Sequence, residues 1–189
     1  MLKAESILDP SVMLITPQRH TDDRGFFVEM YSRESLAEVG IRDTFVQDNY
    51  SLSRQRGVIR GMHFQIDPHP TAKLVSVIKG AIWDVVLDLR HGSPTFGEHA
   101  GVELTPDDGT QIYVPVGFAH GFVTLEPDTE VFYKVTDHWS PEVDRGVAWD
   151  DVDLAIPWPI PESEAILSDK DRAQPSFADL PTYFEWKAQ

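Results

Sequence analysis

The sequence predicts an all-β domain, a jelly-roll barrel with a few short peripheral helices. Many short segments rich in Val, Ile and Phe are separated by turns of Gly, Pro and Asp, a pattern typical of a β-sandwich or barrel. The length of 189 residues and the hydrophobic fraction of 41% suit a single domain with a substantial core. We therefore predict one domain over 1–189, with the barrel core at about 12–150 and a C-terminal arm at about 151–189.

The elements follow from local patterns along the chain. A strand is predicted at 14–16, and a turn at 21–25 leads into an extended segment at 26–31. Ser32 can cap a short helix over 33–39, which Gly40 would end. Further strands are predicted at 44–47, 58–64, 101–104, 111–114, 122–125, 130–136 and 146–149.

Two segments need separate treatment. Alternating apolar residues at 73–78 and 81–89, joined by Lys79 and Gly80, predict a β-hairpin. The proline-rich stretch 156–161 cannot lie in a central strand. The arm is therefore expected to wrap around the barrel and to contain a short helical turn near 163–165 or 176–180.

The composition argues against several classes of protein. A formal net charge of −15 is unlike that of a general nucleic-acid binder. No segment approaches the roughly 20 apolar residues that a membrane-spanning helix needs. Since the chain has no Cys, disulfides, thiolate zinc sites and a thiol nucleophile are excluded. The N-terminal sequence lacks the apolar run of a signal peptide, so we expect a cytoplasmic protein.

The most informative segments are Gly57 to Gln65 and the Pro-x-Gly-x-x-His motif that ends at His120. They look like the two half-motifs of a cupin-type jelly-roll barrel, which encloses a pocket. Metal-binding cupins continue the first half-motif as His-x-His and then reach a glutamate, whereas this chain has Gln65 and Lys73. We therefore expect no metal. A metal-free pocket with two histidines, an arginine and a lysine points to proton transfer on an anionic substrate.

Beyond these motifs, the chain resembles the dTDP-4-dehydrorhamnose 3,5-epimerase family from about residue 15 to 186. The resemblance rests on the number, order and spacing of short segments: DRGFF at 23–27, QDN at 47–49, RGMH at 60–63, AK at 72–73, DVVLD at 84–88, GSPTFG at 92–97, GFAHGF at 117–122 and LSDKD at 167–171. It implies a cofactor-free isomerase. The reaction implied is dTDP-4-dehydro-6-deoxy-D-glucose to dTDP-4-dehydro-L-rhamnose, by proton exchange at C3 and C5 beside the C4 ketone.

The resemblance also implies the catalytic residues. His63 matches the family's base, and Asp171, in the Ser-x-Lys-Asp segment, matches the carboxylate that orients it. Lys73 matches the lysine that faces the developing enolate oxygen, and Tyr133 the tyrosine that returns a proton on the opposite face. From residue type alone, a buried strand histidine, an edge-strand lysine and a barrel aromatic are the ordinary interpretations.

Substrate contacts are implied in the same way. Arg24 and Arg60 match diphosphate-binding arginines, Gln47 and Asn49 match sugar or phosphate contacts, Glu29 matches a thymine or ribose contact, and Trp139 matches an aromatic that stacks on the base. His120 and Asp84 match a second polar pair inside the barrel, with a positioning or purely structural role. In the family, a neighbouring subunit completes the nucleotide site, which implies a homodimer.

Two alternatives stay open at this point. Related enzymes of secondary-metabolite sugar pathways invert C3 or C5 alone, and the stereochemical outcome depends on pocket shape. The other alternative is a non-catalytic sugar-binding cupin or a metal-dependent cupin enzyme. Gln65 and the missing glutamate count against the metal enzyme, while the presence of His63, Asp171, Lys73 and Tyr133 favours the double epimerase.

Overall fold

Two antiparallel sheets make up most of the protein in a computed structural model that describes residues 2–187. The six-stranded sheet contains, in spatial order, β1 (Lys3–Ile7), β2 (Asp9–Thr16), β11 (Gln111–Val114), β7 (Lys73–Lys79), β13 (Thr129–Val135) and β5 (Gln47–Ser53). The five-stranded sheet contains β10 (His99–Leu104), β8 (Ile82–Asp88), β12 (Phe118–Thr124), β6 (Ile59–Gln65) and β14 (Asp144–Gly146).

The remaining elements are short. A hairpin joins β3 (Arg19–Asp22) to β4 (Gly25–Val28), and β9 (Arg90–His91) pairs in parallel with β15 (Phe184–Glu185). The helices are α1 (Arg33–Glu38) and α2 (Asp169–Arg172), with 3-10 turns at Glu162–Glu164 and Phe177–Asp179. The prediction of an all-β protein with a few short helices is confirmed, and Ser32 caps α1 as expected.

Several predicted boundaries are wrong. The strand expected at 44–47 overlaps the observed β5 only at Gln47, and the Phe45 ring packs edge-on against Tyr31, with ring centroids 5.8 Å apart. The strand expected at 146–149 is β14, which ends at Gly146. The sequence analysis missed β1, since this edge strand is almost wholly exposed and lacks an apolar pattern.

The predicted hairpin around Gly80 is also wrong. β7 pairs with β11 and β13, whereas β8 pairs with β10 and β12, so the two strands lie in different sheets. Gly80, at φ +77°, turns the chain from one sheet to the other while its backbone packs against Thr129. Each of the two strands therefore pairs with two neighbours. A turn that crosses from one sheet to the other has the same local sequence pattern as a hairpin turn.

The two sides of the space between the sheets differ in chemistry. Near β2, β11 and β10 the interior is apolar, and its buried residues include Val12, Val75, Val77, Ile82, Val86, Leu104, Ile112, Phe118 and Val131. Near β5, β13, β6 and β14 the inward-facing side chains are largely polar and a cavity opens. The described residues contain no helix that is long and apolar enough to span a membrane.

The GSPTFG segment folds around a buried carboxylate. Asp88 is fully buried and accepts hydrogen bonds from Arg90 Nη2 at 2.6 Å, Ser93 Oγ at 2.6 Å and Thr95 Oγ1 at 2.7 Å. Burial raises the pKa of Asp88, but these hydrogen bonds outweigh burial and hold the pKa below its ordinary value. This motif is therefore accounted for by its structural role.

The C-terminal arm covers the outer face of the five-stranded sheet. Phe177, Leu180 and Phe184 pack on an outer cluster that includes Met62 and Leu87. The arm is fixed at Asp151, whose carboxylate accepts a hydrogen bond from the backbone N–H of Phe177 at 2.7 Å. Between Asp151 and Phe177 the chain passes the edge of β6 and the mouth of the cavity.

Candidate active site

A cavity of about 630 Å³ lies between the β5–β13 side of one sheet and the β6–β14 side of the other. The six-stranded sheet contributes Gln47, Asn49, Ser51, Lys73, Tyr133 and Val135. The five-stranded sheet contributes Arg60, His63, Gln65, His120, Phe122 and Asp144. The arm supplies a third wall through Ile166, Leu167, Ser168, Lys170 and Asp171. Side chains from both sheets and the arm therefore face a ligand bound here.

His63 and Asp171 meet in this cavity although they lie far apart in the sequence. His63 Nε2 is 2.6 Å from Asp171 Oδ1, and the Asp171 side chain is only 6% exposed. The two atoms are close, but the angles of their contact are not those of a straight hydrogen bond. Neither atom has another hydrogen-bond partner in residues 2–187. A buried carboxylate against an imidazole fixes the ring orientation and stabilises an imidazolium.

Ser168 holds the Asp171 carboxylate from the other side. Its hydroxyl donates to Asp171 Oδ2 at 2.7 Å and accepts from the Asp171 backbone N–H at 3.1 Å, as the N-cap of α2. Burial raises the pKa of Asp171, but the contacts with His63 and Ser168 outweigh it and keep the pKa below its ordinary value. The carboxylate is therefore ionised at neutral pH.

Lys73 reaches the site from the opposite sheet. Its Nζ donates to the backbone carbonyl of His63 at 3.1 Å. Burial lowers the pKa of Lys73 to about 8, and the nearby Asp84 and Asp144 carboxylates oppose this shift. The ammonium is thus poorly hydrated and carries its charge at neutral pH, so it can stabilise an anion in the cavity.

Tyr133, on β13 of the six-stranded sheet, lines the same cavity as His63, which lies on β6 of the five-stranded sheet. Burial raises the pKa of the Tyr133 phenol, and the Arg60 charge only partly opposes this. The phenol is therefore protonated at neutral pH and can act as a proton donor. Base and acid candidates thus stand on opposite walls of one cavity.

His120 and Asp84 form a second histidine–carboxylate pair. His120 Nε2 lies 2.8 Å from Asp84 Oδ2, with the Asp84 side chain fully buried. His120 is also the direct cross-strand neighbour of His63, which places the two imidazoles side by side on the same wall. Within the described residues, Asp84 Oδ1 has no hydrogen-bond partner.

Five of the predicted substrate-binding residues line the cavity: Gln47, Asn49, Arg60, Trp139 and His120, which is described above. Gln47 Nε2 donates to Asn49 Oδ1 at 2.8 Å, and Arg60 Nε donates to Ser53 Oγ at 3.2 Å. The Trp139 side chain is 61% exposed at the rim, and its indole N–H donates to Asp144 Oδ2 at 2.9 Å. An exposed indole face and a nearby guanidinium suit a planar base and a phosphate respectively.

Arg24 and Glu29 lie elsewhere. Neither is among the described residues that line the cavity. Arg24 is at the tip of the β3–β4 hairpin, where its exposed guanidinium pairs with Asp22 at 2.6 Å. Glu29 follows the hairpin and accepts a hydrogen bond from Ser35 Oγ at 3.2 Å. A single chain therefore does not bring these two residues together with the rest of the site.

The sequence analysis assigned no role to several residues of the cavity. Asp144 accepts from Trp139 and pairs with Lys170, and no motif distinguished it from the other acidic residues. Lys170 and Ser168 were visible only as members of the Ser-x-Lys-Asp segment. Leu167 was likewise visible only as part of the LSDKD segment, and Ile166 was missed because nothing in the sequence showed that the arm returns to β6.

Gln65 has a structural role where metal-binding cupins have a histidine. Its amide donates to the carbonyls of His69 at 2.7 Å and His138 at 3.2 Å, and its carbonyl accepts from the Ser140 N–H at 2.7 Å. Among residues 2–187, no three His, Asp or Glu side chains are grouped so as to hold a metal ion. Gln65 instead ties together the loops at the rim of the cavity.

The comparisons with known proteins decide the family. A model of the family described as dTDP-4-dehydrorhamnose 3,5-epimerase matches residues 8–179. The chain belongs to the dTDP-4-dehydrorhamnose 3,5-epimerase family. A curated member from Sinorhizobium fredii is 45% identical over 186 residues, which cover 96% of this chain and 93% of that protein. One from Pseudomonas aeruginosa is 45% identical over 179 residues, 94% of this chain and 97% of its own length.

Solved structures agree with this assignment. The Bacillus anthracis epimerase, with TDP and pyrophosphate bound, has a TM-score of 0.90 and 47% identity, covering 93% of this chain and 99% of that one. The Legionella pneumophila epimerase, in complex with dTDP-4-keto-L-rhamnose, has a TM-score of 0.94 and 38% identity, with both chains fully covered. The cupin-type jelly roll and the isomerase class predicted from the sequence are thereby confirmed.

Proposed function

We propose that the protein converts dTDP-4-dehydro-6-deoxy-D-glucose into dTDP-4-dehydro-L-rhamnose by exchanging the protons at C3 and C5. The observation that carries the proposal is the placement of His63 and Tyr133 on facing walls of one cavity, with the Lys73 ammonium between the sheets. Inversion beside a ketone needs a base on one face, an acid on the other and a charge that holds the enolate.

His63 is the proposed base. Because its Nε2 faces Asp171, Nδ1 is the ring nitrogen left to accept the proton. The C–H bond breaks, its electron pair passes into the C–C–O system of the ketone, and negative charge collects on O4. The ionised Asp171 carboxylate stabilises the imidazolium that forms. Base catalysis of this kind contributes roughly 10²–10⁴-fold to the rate.

Lys73 and Tyr133 complete the step. The poorly hydrated Lys73 ammonium stabilises the negative O4, and its effect is large because the ammonium is buried. The Tyr133 phenol delivers a proton to the carbon from the opposite face, so the new C–H bond has inverted configuration. His63 then releases its proton to solvent and the Tyr133 phenolate takes one up, which restores the starting state of both groups. The same events at C5 then give the double epimerisation.

The nucleotide is proposed to bind at the rim of the cavity. Arg60 and Lys170 place two cations there, which suits a diphosphate in spite of the net charge of −15. Trp139 offers its exposed indole face to the thymine base. Gln47 and Asn49 are proposed to contact the sugar or phosphate groups from β5.

A homodimer would complete this site. The tip of the β3–β4 hairpin carries Arg24 together with Phe26 and Phe27, which are 59% and 71% exposed. Exposed aromatic side chains beside a phosphate-binding candidate are expected where a hairpin extends onto a second subunit. We propose that Arg24, with Glu29, reaches the cavity of the partner. A cytoplasmic location stays a prediction.

Single epimerisation at C3 is the second candidate. A 3'-monoepimerase from Streptomyces bikiniensis, solved with dTDP-quinovose, has a TM-score of 0.83 and 33% identity, covering 89% of this chain and 84% of that one. The same fold therefore supports either outcome. The double epimerases named above share more of this sequence, at 45% identity, which favours the double reaction.

The proposal is tested by trapping the product. The purified protein is incubated with dTDP-4-dehydro-6-deoxy-D-glucose, and a stereospecific 4-keto reductase converts the product for analysis. An L-rhamno sugar supports the proposal, and a sugar inverted at C3 alone supports the second candidate. His63→Ala should abolish turnover while dTDP binding stays nearly unchanged, and activity in that variant would refute His63 as the base.

A further inference from the structure

The C-terminal arm joins the barrel at Gly57, beside the first residues of β6. β14 pairs only with the second half of β6, from His63 to Gln65. At the first half, Ile166 takes the neighbouring position in a parallel bridge with Val58. Its N–H donates to the Gly57 carbonyl at 2.8 Å, and its carbonyl accepts from the Ile59 N–H at 2.9 Å. The arm thus continues the edge of the five-stranded sheet.

The turn that receives the arm is itself held firmly by Thr124, which is fully buried on β12. The Gly57 N–H donates to the Thr124 carbonyl at 2.8 Å, and the Val58 N–H donates to Thr124 Oγ1 at 3.0 Å. Oγ1 in turn donates to the Gln55 carbonyl at 2.7 Å. The anchor point is therefore fixed relative to the wall of the cavity that carries His63.

Only glycine allows the arm to come this close. Gly57 has φ +86°, and a Cβ atom built there would overlap the backbone carbonyl oxygen of Glu164. A backbone oxygen cannot rotate away as a flexible side chain can, so a larger residue must push residues 164–166 off the sheet edge. At the surface, the ion pair between Arg56 and Glu164 lies over the same junction.

The anchored segment leads directly to the catalytic carboxylate. Ile166 and Leu167 line the cavity, Ser168 caps α2, and Asp171 lies five positions after the bridge residue Ile166. We propose that Gly57 is a positioning residue, whose turn anchors residues 164–168 and thereby holds Asp171 against His63. This inference rests on the proposed function, in which the pair provides the base. Misplacing a catalytic group by about 1 Å can lower the rate about 10²-fold.

Gly57→Ala tests the proposal, with Gly40→Ala as its matched control. Gly40 has a similar φ of +95°, but a Cβ there meets no atom within 4 Å. Both variants therefore bear similar backbone strain, and only Gly57→Ala brings a Cβ atom against the arm. We expect Gly57→Ala to lower kcat at least about 10-fold and Gly40→Ala to keep kcat within about 2-fold.

A nitrogen-15 NMR signal separates positioning from loss of stability. In the wild type, the contact with Asp171 should hold the His63 ring as a single tautomer with the proton on Nε2. Gly57→Ala should replace this signal by one averaged between tautomers, and the amide of Ile166 should exchange faster with solvent. A Gly57→Ala protein with wild-type kcat and a wild-type His63 signal would overturn the proposal.

A second variant covers the case in which Gly57→Ala does not fold. Ile166→Pro removes the N–H that the Gly57 carbonyl accepts, without adding an atom at Gly57. The same loss of kcat and the same His63 signal change are expected, and their absence overturns the proposal. If the wild type itself does not turn over the 4-keto sugar, the proposed function fails, while the His63 signal and the Ile166 exchange still decide whether Gly57 anchors the arm.

Discussion

Lys73 shows how one residue in this cavity combines a proposed chemical role with a cost in stability. Burial lowers its pKa from the ordinary 10.5 to about 8. In the unfolded chain the ammonium is fully hydrated, so folding removes that hydration at every pH where the native lysine is charged. The same desolvation makes the charge effective toward an enolate oxygen.

Lys73→Met is therefore expected to lower kcat and raise the melting temperature. Because the folded pKa is the lower one, the unfolded state binds more protons between about pH 8 and 10.5, and wild-type stability rises with pH across that window. The gain in melting temperature should be largest below pH 8 and shrink toward pH 10.5. Thermal unfolding of the wild type and of Lys73→Met at several pH values measures this gain in melting temperature.

Lys79→Met is the control for this prediction, since Lys79 lies on the same strand but is exposed. Its melting temperature should stay near that of the wild type. Wild-type kcat should also fall as pH rises through about 8, where Lys73 loses its charge. A Lys73→Met protein that melts below the wild type at pH 7, or a kcat that is flat to pH 10, would contradict this view of Lys73.

At the residue scale, the sequence predicted catalytic roles only for residues that lie within a recognisable motif. His63, Lys73 and Tyr133 were predicted because their segments resemble a family, whereas residue type alone favoured structural roles. Asp144 was missed because a single aspartate among 31 acidic residues carries no distinguishing pattern. The lowered pKa of Lys73 could not be predicted either, since it depends on burial, which a sequence does not show.

The short helix α2 determines where the Asp171 carboxylate lies. It has four residues, begins at the Ser168 cap and places Asp171 at the cavity. A helix of this length is not stable on its own, so the cap and the contact with His63 hold its shape. The cap hydroxyl serves both the backbone N–H and the carboxylate of Asp171.

Ser168→Ala is expected to destabilise the protein by about 1 kcal/mol through loss of this cap. For a chain of this size, that corresponds to a drop of about 2–4 °C in melting temperature. Since Asp171 also loses a hydrogen bond that holds its carboxylate, kcat should fall several-fold. Ser168→Thr keeps the hydroxyl and should recover most of both values. If Ser168→Ala retained wild-type kcat, the hydroxyl would have no part in orienting Asp171.

At the element scale, local sequence patterns predicted the positions of strands better than they predicted which strands pair. The segments 111–114 and 130–136 were predicted within one residue, because alternation and turn residues are local signals. The partners of β7 and β8 were not predicted correctly, since a two-residue turn fits a hairpin and a crossing between sheets equally well. The helix α2 escaped because four residues cannot show a helical period.

The molecule as a whole has one apolar side and one polar side between its sheets. The apolar side, around Ile82 and Phe118, supplies the core, while the polar side remains open enough to hold a ligand. The arm closes part of that polar side, and the exposed β3–β4 hairpin projects Phe27 and Arg24 to solvent. These exposed groups are explained if a second copy covers them.

Phe27→Glu is expected to weaken the proposed homodimer. Sedimentation equilibrium should give twice the chain mass for the wild type and a shift toward the monomer for this variant, with lower kcat/KM because Arg24 no longer reaches the partner's cavity. Val152→Glu is the control, since Val152 is 87% exposed on the arm and should tolerate a charge. A wild type that sediments as a monomer at full activity would refute the dimer and the role given to Arg24.

The central claim, proton exchange at two carbons, is tested most directly by proton NMR of the 4-keto substrate in deuterated water. With the wild-type protein, both the C3 and the C5 proton signals should disappear, and with His63→Ala neither should. Loss of the C3 signal alone would contradict the double epimerisation and leave a single epimerase. Retention of both signals with the wild type would contradict the assignment of His63 and Tyr133 as base and acid.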